Sequence, residues 1–294
     1  MAFKRLKLND GPSAHISRGS DLNTKAMSVV QTNNGNGSFT PASNNTKYQV
    51  FAVGGGAGGG GWRAGGGGAG GAVFFEGVQF STNANITIGG RGNGANSGQF
   101  LNGNSGGTTS MNSATFIDQS NNKNTLSNIS VAGGGHGGGQ GYAGGNGGCG
   151  GGSGSSNNTT RIGSIGGNGA PSQNSSHYNG GGGGGMGSDL TGADGGYGGG
   201  DGFAFLGVNY AAGGGQAGYY GSGGGGNVGN TNVGGNGGCN PGNGGSYGAG
   251  GGSRKNDCGN NAGGHGYAGR LIVRKYEEPT LAGNVTNVKK VKKL

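Results

Sequence analysis

Unbroken runs of glycine, such as Gly58 to Gly61 and Gly180 to Gly185, limit what this chain can fold into more than any other feature. Glycine brings no side chain to bury and loses the most backbone entropy on ordering. The chain has 87 glycines in 294 residues. Leu, Ile, Val and Phe together number 42, about 14% of the chain, where a share under roughly 20% warns of too small an apolar core. A conventional enzyme built around one large apolar core is therefore excluded. No stretch of about 18 apolar residues exists to cross a membrane as a helix. Collagen is excluded as well, because glycine comes in runs instead of every third residue and only 5 prolines are present.

Two outcomes remain for such tracts: disordered linkers, or order in which something other than apolar burial compensates for the lost entropy. The compensating force available is the backbone hydrogen bond. A polyproline-II-like helix has three residues per turn and no internal hydrogen bonds, so every N–H and C=O points outward. Rods of this kind made of glycine approach closely and bond to neighbours on all sides, in a hexagonal bundle that satisfies its peptide groups without an oily interior. Each bond contributes only about 0.5–1.5 kcal/mol net, so many rods are needed. A Cβ aimed at a neighbouring rod would push it away; Gly→Val within Gly213 to Gly215 is expected to destabilise more than changes in flanking loops.

Strand-like segments bracket the glycine and argue for order. Tyr48 to Val53 (YQVFAV), Ala72 to Phe80 (AVFFEGVQF), Asn85 to Ile88, Leu126 to Ala132 and Leu271 to Tyr276 are rich in aromatic and β-branched residues and abut glycine. No segment has helical periodicity with caps. The expected fold is mainly irregular and β: a small sandwich-like strand set joined to a bundle of polyglycine-II helices, with essentially no α-helix. The expected organisation is an extended arm over 1–47, a glycine-rich domain over 48–276 that is loop-rich at 133–269, and a basic tail over 277–294.

The net charge of +9 sits at the ends. Residues 1–25 carry five basic against two acidic groups, and residues 270–294 carry seven against two; the body holds seven against six. The body thus lacks the basic stripe that tracks phosphates, and no Arg-Gly-Gly repeat occurs, so nucleic acid is not an expected partner. The arms, with Lys4, Arg5, Lys7, Lys289, Lys290, Lys292 and Lys293, are either solvated tails or docking segments for acidic neighbouring subunits. The amino terminus, MAFKRLKLND, has no apolar stretch of the kind a secretory signal needs, so none is expected. Cys149, Cys239 and Cys258 form no C-x-x-C pair, which argues against zinc and leaves room for one bridge. Asp189, Asp194 and Asp201 match no calcium-loop spacing and read as turn formers. Gly-x-Gly-x-x-Gly patterns are expected by chance at this glycine content, and no Gly-Lys-Ser/Thr follows them. No nucleophile stands beside a base. No cofactor and no catalysis are expected.

The run YQVFAVGGGAGGGG, then AGGGGAGGAVFFEGVQF, NITIGGRGNG, ISVAGGGHGGG and finally GGHGYAGRLIVRKY resembles the glycine-rich domain common in bacteriophage tail-fibre and virion proteins. A similar arrangement occurs in the glycine-rich ectodomain of one family of receptor tyrosine kinases and, more loosely, in tail-fibre tip adhesins of T-even-like phages. The resemblance covers roughly 48–276 and implies a small β-structure on a polyglycine-II bundle. It also implies a virion location and loops that touch a host receptor, a cell-surface protein or glycan. The alternatives are a capsid or tail decoration protein without a receptor and, more weakly, an ice- or surface-binding protein. Other virion proteins are the expected partners of the arms, in an oligomeric particle and without membrane insertion. Rigid Tyr among Ser, Gly and Asn is the composition recognition loops favour. Trp62, Tyr178, Phe203, Phe205, Tyr210, Tyr219 and Tyr220 are accordingly the candidate contact residues, set against the alternative that such aromatics pack between the bundle and the β part. Trp62 and Arg63 interrupt a glycine run and must project from it.

Overall fold

The computed structural model describes residues 4–6, 14–16, 27–96, 100–117, 123–157, 159–172, 180–187, 190, 192–217, 223–255 and 262–276. Among them there is no helix; the regular elements are fourteen strands. These are β1 (Lys4–Leu6), β2 (Ala14–Ile16), β3 (Met27–Asn33), β4 (Gly37–Phe39), β5 (Tyr48–Val53), β6 (Ala72–Phe80), β7 (Ala84–Thr87), β8 (Thr109–Ile117), β9 (Lys123–Val131), β10 (Phe203–Phe205), β11 (Val208–Tyr210), β12 (Asn227–Val228), β13 (Thr231–Asn232) and β14 (Arg270–Tyr276).

Eight strands make one antiparallel sheet in the order β3-β14-β5-β6-β8-β7-β4, with β9 on the other side of β8. The sheet's edge strands β3 and β4 are consecutive in sequence, joined by residues 34–36 alone. Gln31 Nε2 donates to the Ser38 carbonyl at 2.8 Å across that joint. The sheet therefore curls until its two edges meet, and its inner face closes on one core that includes Phe39, Tyr48, Val50, Phe75, Phe80, Ile86, Met111, Ile129 and Leu271. Phe39 sits edge-on to Tyr48 and Phe80 at 5.1 and 5.2 Å between ring centres. The sandwich-like strand set is thus a single curled sheet. The expected arm over 1–47 is also corrected, since β3 and β4 belong to this sheet: half-exposed strands such as MSVVQTN read as polar loop in sequence. The tail at 277–294 lies outside the described residues.

The chain's two bracketing strands are direct neighbours, β5 pairing with β14 from Tyr48↔Lys275 to Val53↔Arg270. All six residues of β5 are buried because both of its faces are covered. Tyr48, Val50 and Ala52 face the inside of the sheet, whereas Phe51 and Val53, with Phe74 and Ile272, face a second cluster that includes Phe203, Phe205 and Tyr210. In that cluster Phe51 lies 4.9 Å from both Phe205 and Tyr210. This aromatic layer joins the sheet to the glycine-rich body.

The body is a polyglycine-II bundle, and the hydrogen bonds of residues 54–61 establish it. Gly54, Ala57 and Gly60 donate to the carbonyls of Gly71, Gly68 and Gly65; Gly55, Gly58 and Gly61 donate to Gly107, Asn104 and Leu101; Gly56 and Gly59 donate to Tyr267 and Gly264. The direction of donation rotates by a third of a turn per residue, the three-fold period of this helix. The carbonyls behave alike: Gly55 and Gly58 accept from Gly134 and Gly137, Gly56 and Gly59 from Gly92 and Ala95, and Ala57 and Gly60 from Gly251 and Arg254. One rod thus touches six others, three antiparallel that accept from it and three parallel that donate to it. The next rod, 64–71, is also enclosed by six segments: it donates to 132–138, 181–184 and 248–251 and accepts from 54–60, 149–152 and 214–217. Both rods are buried throughout, and their purity follows: a Cβ on Gly56 would lie 1.9 Å from the Ala249 oxygen.

Asparagine closes the rods that lack a full set of neighbours. Oδ1 of Asn102 accepts from Gly139 N–H, Asn146 from Ile162, Asn168 from Gly163, Asn236 from Gly225 and Asn243 from His265. Asp194 and Asp201 do the same for Asn168 and Asn227. The carboxamide or carboxylate oxygen replaces the missing rod's carbonyl, which leaves fewer buried donors unsatisfied.

Candidate functional site

Rods reverse direction at every turn, so the turns collect at two ends of the bundle. One end carries the sheet, because rods 54–60, 89–95 and 133–138 leave β5, β7 and β9 there, and rods 64–71 and 101–107 return there into β6 and β8. Among the described residues the opposite end consists of turns alone. The register assigns to it Gly61 to Ala64, Phe100–Leu101, Gly139 to Tyr142, Ser155 to Asn157 and Tyr197.

The first four of these turns are tied to one another. Gly61 N–H donates to the Leu101 carbonyl at 2.9 Å, Ser155 N–H to Arg63 at 2.8 Å and Gly141 N–H to Ser155 at 2.9 Å. Asn102 Oδ1 accepts from Gly139. On this frame the Trp62 and Phe100 rings lie 5.3 Å apart, tilted by 50°. Phe100, Leu101, Tyr142 and Tyr197 are all exposed, the two tyrosines at 54%. Large apolar groups gathered at one end, on turns held by backbone bonds, make a rigid amphipathic surface.

The backbone there is unusual. Trp62, Arg63, Phe100 and Ser156 adopt φ of 38°, 50°, 58° and 68°. Left-handed backbone disfavours residues with a Cβ by roughly 1–2 kcal/mol and suits glycine. A chain this rich in glycine nonetheless places Trp, Arg and Phe at these positions. Outliers of this kind cluster at ligand-contact sites.

The predicted contact residues divide into three groups. Trp62 is at the turn end, and Arg63 is beside it. Phe203, Phe205 and Tyr210 are not: they are buried at 5%, 7% and 0% exposure, on a β10–β11 hairpin packed against Phe51 and Phe74. They are the packing between sheet and bundle, and their removal from the contact set is a correction. The period-two spacing of FAF and VNY around Leu206-Gly207 carried that signal, for alternate residues of a hairpin share a face. Tyr178, Tyr219 and Tyr220 lie outside the described residues. Of the arm residues, Lys4 and Arg5 fall on β1, paired with Ile16 and His15 of β2; Lys7, Lys289, Lys290, Lys292 and Lys293 lie outside the described residues. Phe100 and Leu101 escaped the sequence reading, although an apolar pair in the polar stretch around QFLNGNS was a usable signal.

Polar groups near the joint are structural. Arg270 Nη1 donates to the Tyr210 hydroxyl at 3.1 Å and its guanidinium lies 4.4 Å over the Tyr247 ring. Burial pushes the Tyr210 hydroxyl above its ordinary pKa. Arg274 Nη1 donates to Gln49 Oε1, whose amide donates to Glu76. The Cys149 thiol is fully buried, pushed up to about 12 by that burial, and points at the Gly70 carbonyl at 3.9 Å. It packs in the cluster with Phe51, Val53 and Met186 and is a poor nucleophile at neutral pH. Cys239 is disulfide-bonded. Among the described residues no group of three or more His, Cys, Asp and Glu could hold a metal ion.

A search among curated proteins finds none that matches this sequence. A family model described as a glycine-rich domain matches residues 31–276, so the match starts within β3 and ends with β14, and the chain belongs to that glycine-rich domain family.

Proposed function

We propose that the protein is a non-enzymatic structural component of a bacteriophage virion, associated with a tail fibre, that presents the turn end of its bundle to a host-cell receptor. The observation that carries this reading is the gathering of Trp62, Phe100, Leu101 and Tyr142, with Tyr197 at the same end, opposite the sheet, the first four on turns cross-tied by backbone bonds. A rod whose peptide groups all bond sideways resists bending, so the turns keep their positions without a large apolar core beneath them. Preorganised aromatics lose little entropy on contact. The arms at both ends of the chain then attach the domain to neighbouring virion subunits.

The test uses the purified protein against a panel of bacterial strains, read by flow cytometry of labelled cells. The proposal expects saturable binding to some strains, weakened at least about tenfold by Trp62→Ala combined with Tyr142→Ala, as is typical when hot-spot aromatics are removed. The doubly substituted protein should melt close to the parent. Binding to virions that lack the protein, with no binding to any cell, would favour the decoration reading and overturn the adhesin.

A further inference from the structure

We propose that Asn34, on the joint between the two edges of the curled sheet, is a site of spontaneous deamidation, set apart by the fold from the other Asn-Gly pairs among the described residues. The reaction is intramolecular. The Gly35 backbone nitrogen attacks Cγ of Asn34, the Cγ–N bond of the carboxamide breaks, ammonia leaves with the proton that Gly35 N–H gives up, and a five-membered imide forms. Water then opens the imide at either carbonyl, giving aspartate or its β-linked isomer. No oxidant, metal or enzyme is involved. The step needs a glycine after the asparagine, an N–H that is not engaged, and a carboxamide able to swing onto the backbone.

Eight Asn-Gly pairs fall within the described residues: those at Asn34, Asn36, Asn93, Asn102, Asn146, Asn168, Asn236 and Asn243. In the bundle the following N–H is committed to a neighbour. Gly94 donates to His265 Nδ1 at 3.0 Å, Gly103 to the Gly137 carbonyl at 3.0 Å, Gly169 to Arg161 at 2.8 Å, Gly237 to Gly223 at 3.0 Å and Gly244 to His265 at 2.8 Å. At the two remaining pairs the carboxamide itself is held: Asn36 Oδ1 accepts from Ile88 at 2.8 Å, with Gly37 paired to Ile86 in the sheet, and Asn146 Oδ1 accepts from Ile162 at 3.1 Å, with Gly147 bridged to Gly163.

Asn34 has neither restraint. Among the described residues its carboxamide makes no hydrogen bond and Gly35 N–H has no acceptor. Residues 34–36 form the bend between β3 and β4, and all three are exposed. An ideal Cβ on Gly35 would meet nothing within 4 Å, so the peptide has room to rotate into the attacking geometry. The product carries a negative charge, and in its β-linked form an extra backbone methylene, at the seam that Gln31 and Ser38 bridge.

Freeing a typical backbone hydrogen bond before attack slows such a step by about tenfold. The experiment incubates the full chain in mildly alkaline buffer and follows each asparagine by peptide mapping and tandem mass spectrometry, with isoaspartate located by fragmentation. Asn34 is expected to convert at least about tenfold faster than the seven other pairs. In denaturant the bundle pairs should accelerate to the rate of Asn34. Gly35→Ala, which the open surroundings accommodate, should slow Asn34 and leave the other sites unchanged. Equal native rates at Asn34 and the bundle pairs, a native pattern unchanged in denaturant, or faster loss at Asn36 would overturn the proposal.

Discussion

Phe51 in the sheet and Gly58 in the bundle are both buried, and they are held by different means. Phe51 packs its ring against Phe74, Phe205 and Tyr210 at 4.7–4.9 Å; burying such a side chain contributes roughly 1.5–3 kcal/mol. Gly58 has only its peptide groups. Its N–H donates to Asn104, its carbonyl accepts from Gly137, and a Cβ would lie 2.0 Å from the Asn93 oxygen. Each such bond is worth about 0.5–1.5 kcal/mol net. A strand is satisfied by two neighbours and a shared face, whereas a rod needs up to six neighbours drawn from distant sequence. The bundle is therefore the more cooperative region and the less tolerant of added atoms, and the aromatic layer between the two is where their stabilities couple.

The comparison is broken most severely by a side chain inside a central rod. Gly56→Val should destabilise by more than about 4 kcal/mol, the range reserved for severe overpacking of backbone, or leave no folded protein; denaturant melts followed by circular dichroism decide this. Phe51→Ala should cost about 3–5 kcal/mol and lower the melting of sheet and bundle together, because the ring faces both. Separate transitions for the two regions would contradict the coupling.

These two substitutions also mark what the sequence could reveal. Tyr48–Val53 and Ala72–Phe80 were legible to the residue, because apolar runs flanked by glycine have sharp ends. The rod geometry was legible too, since pure glycine tracts leave few other ordered solutions. Thr109–Ile117 and Met27–Asn33 were not: TSMNSATFI and MSVVQTN mix polar and apolar residues too evenly to stand out from the Asn- and Ser-rich background. Rods such as 101–107 do not stand out in sequence because exposed Asn and Ser interrupt their glycines, a pattern that depends on where the bundle ends. The turn-end surface was half legible. Trp62 interrupts glycine conspicuously, while the meeting of Trp62 with Phe100 depends on rods 54–60 and 101–107 lying side by side.

Smaller effects sharpen the account. Asn236→Ala removes the acceptor for Gly225 N–H and should cost about 1 kcal/mol, measured by the shift in denaturation midpoint. Burial holds the imidazoles of His136 and His265 below their ordinary pKa of 6.5, aided by the nearby charges of Arg161 and Arg91. The unfolded chain then binds protons more readily than the folded one, so stability should be full above pH 6.5 and decline as pH falls below it. Replacing both histidines by Asn should flatten that decline; an unchanged slope would place its origin elsewhere. Least of all, Gly90→Ala, whose Cβ would meet nothing within 4 Å, should change stability by under about 0.5 kcal/mol.

Amide hydrogen exchange resolved by peptide is the most direct test of a glycine bundle held by its own backbone. Segments 54–60 and 64–71 should exchange as slowly as Tyr48–Val53, in one cooperative opening with the sheet. Exchange of those segments at random-coil rates, while the sheet stays protected, would contradict the bundle outright.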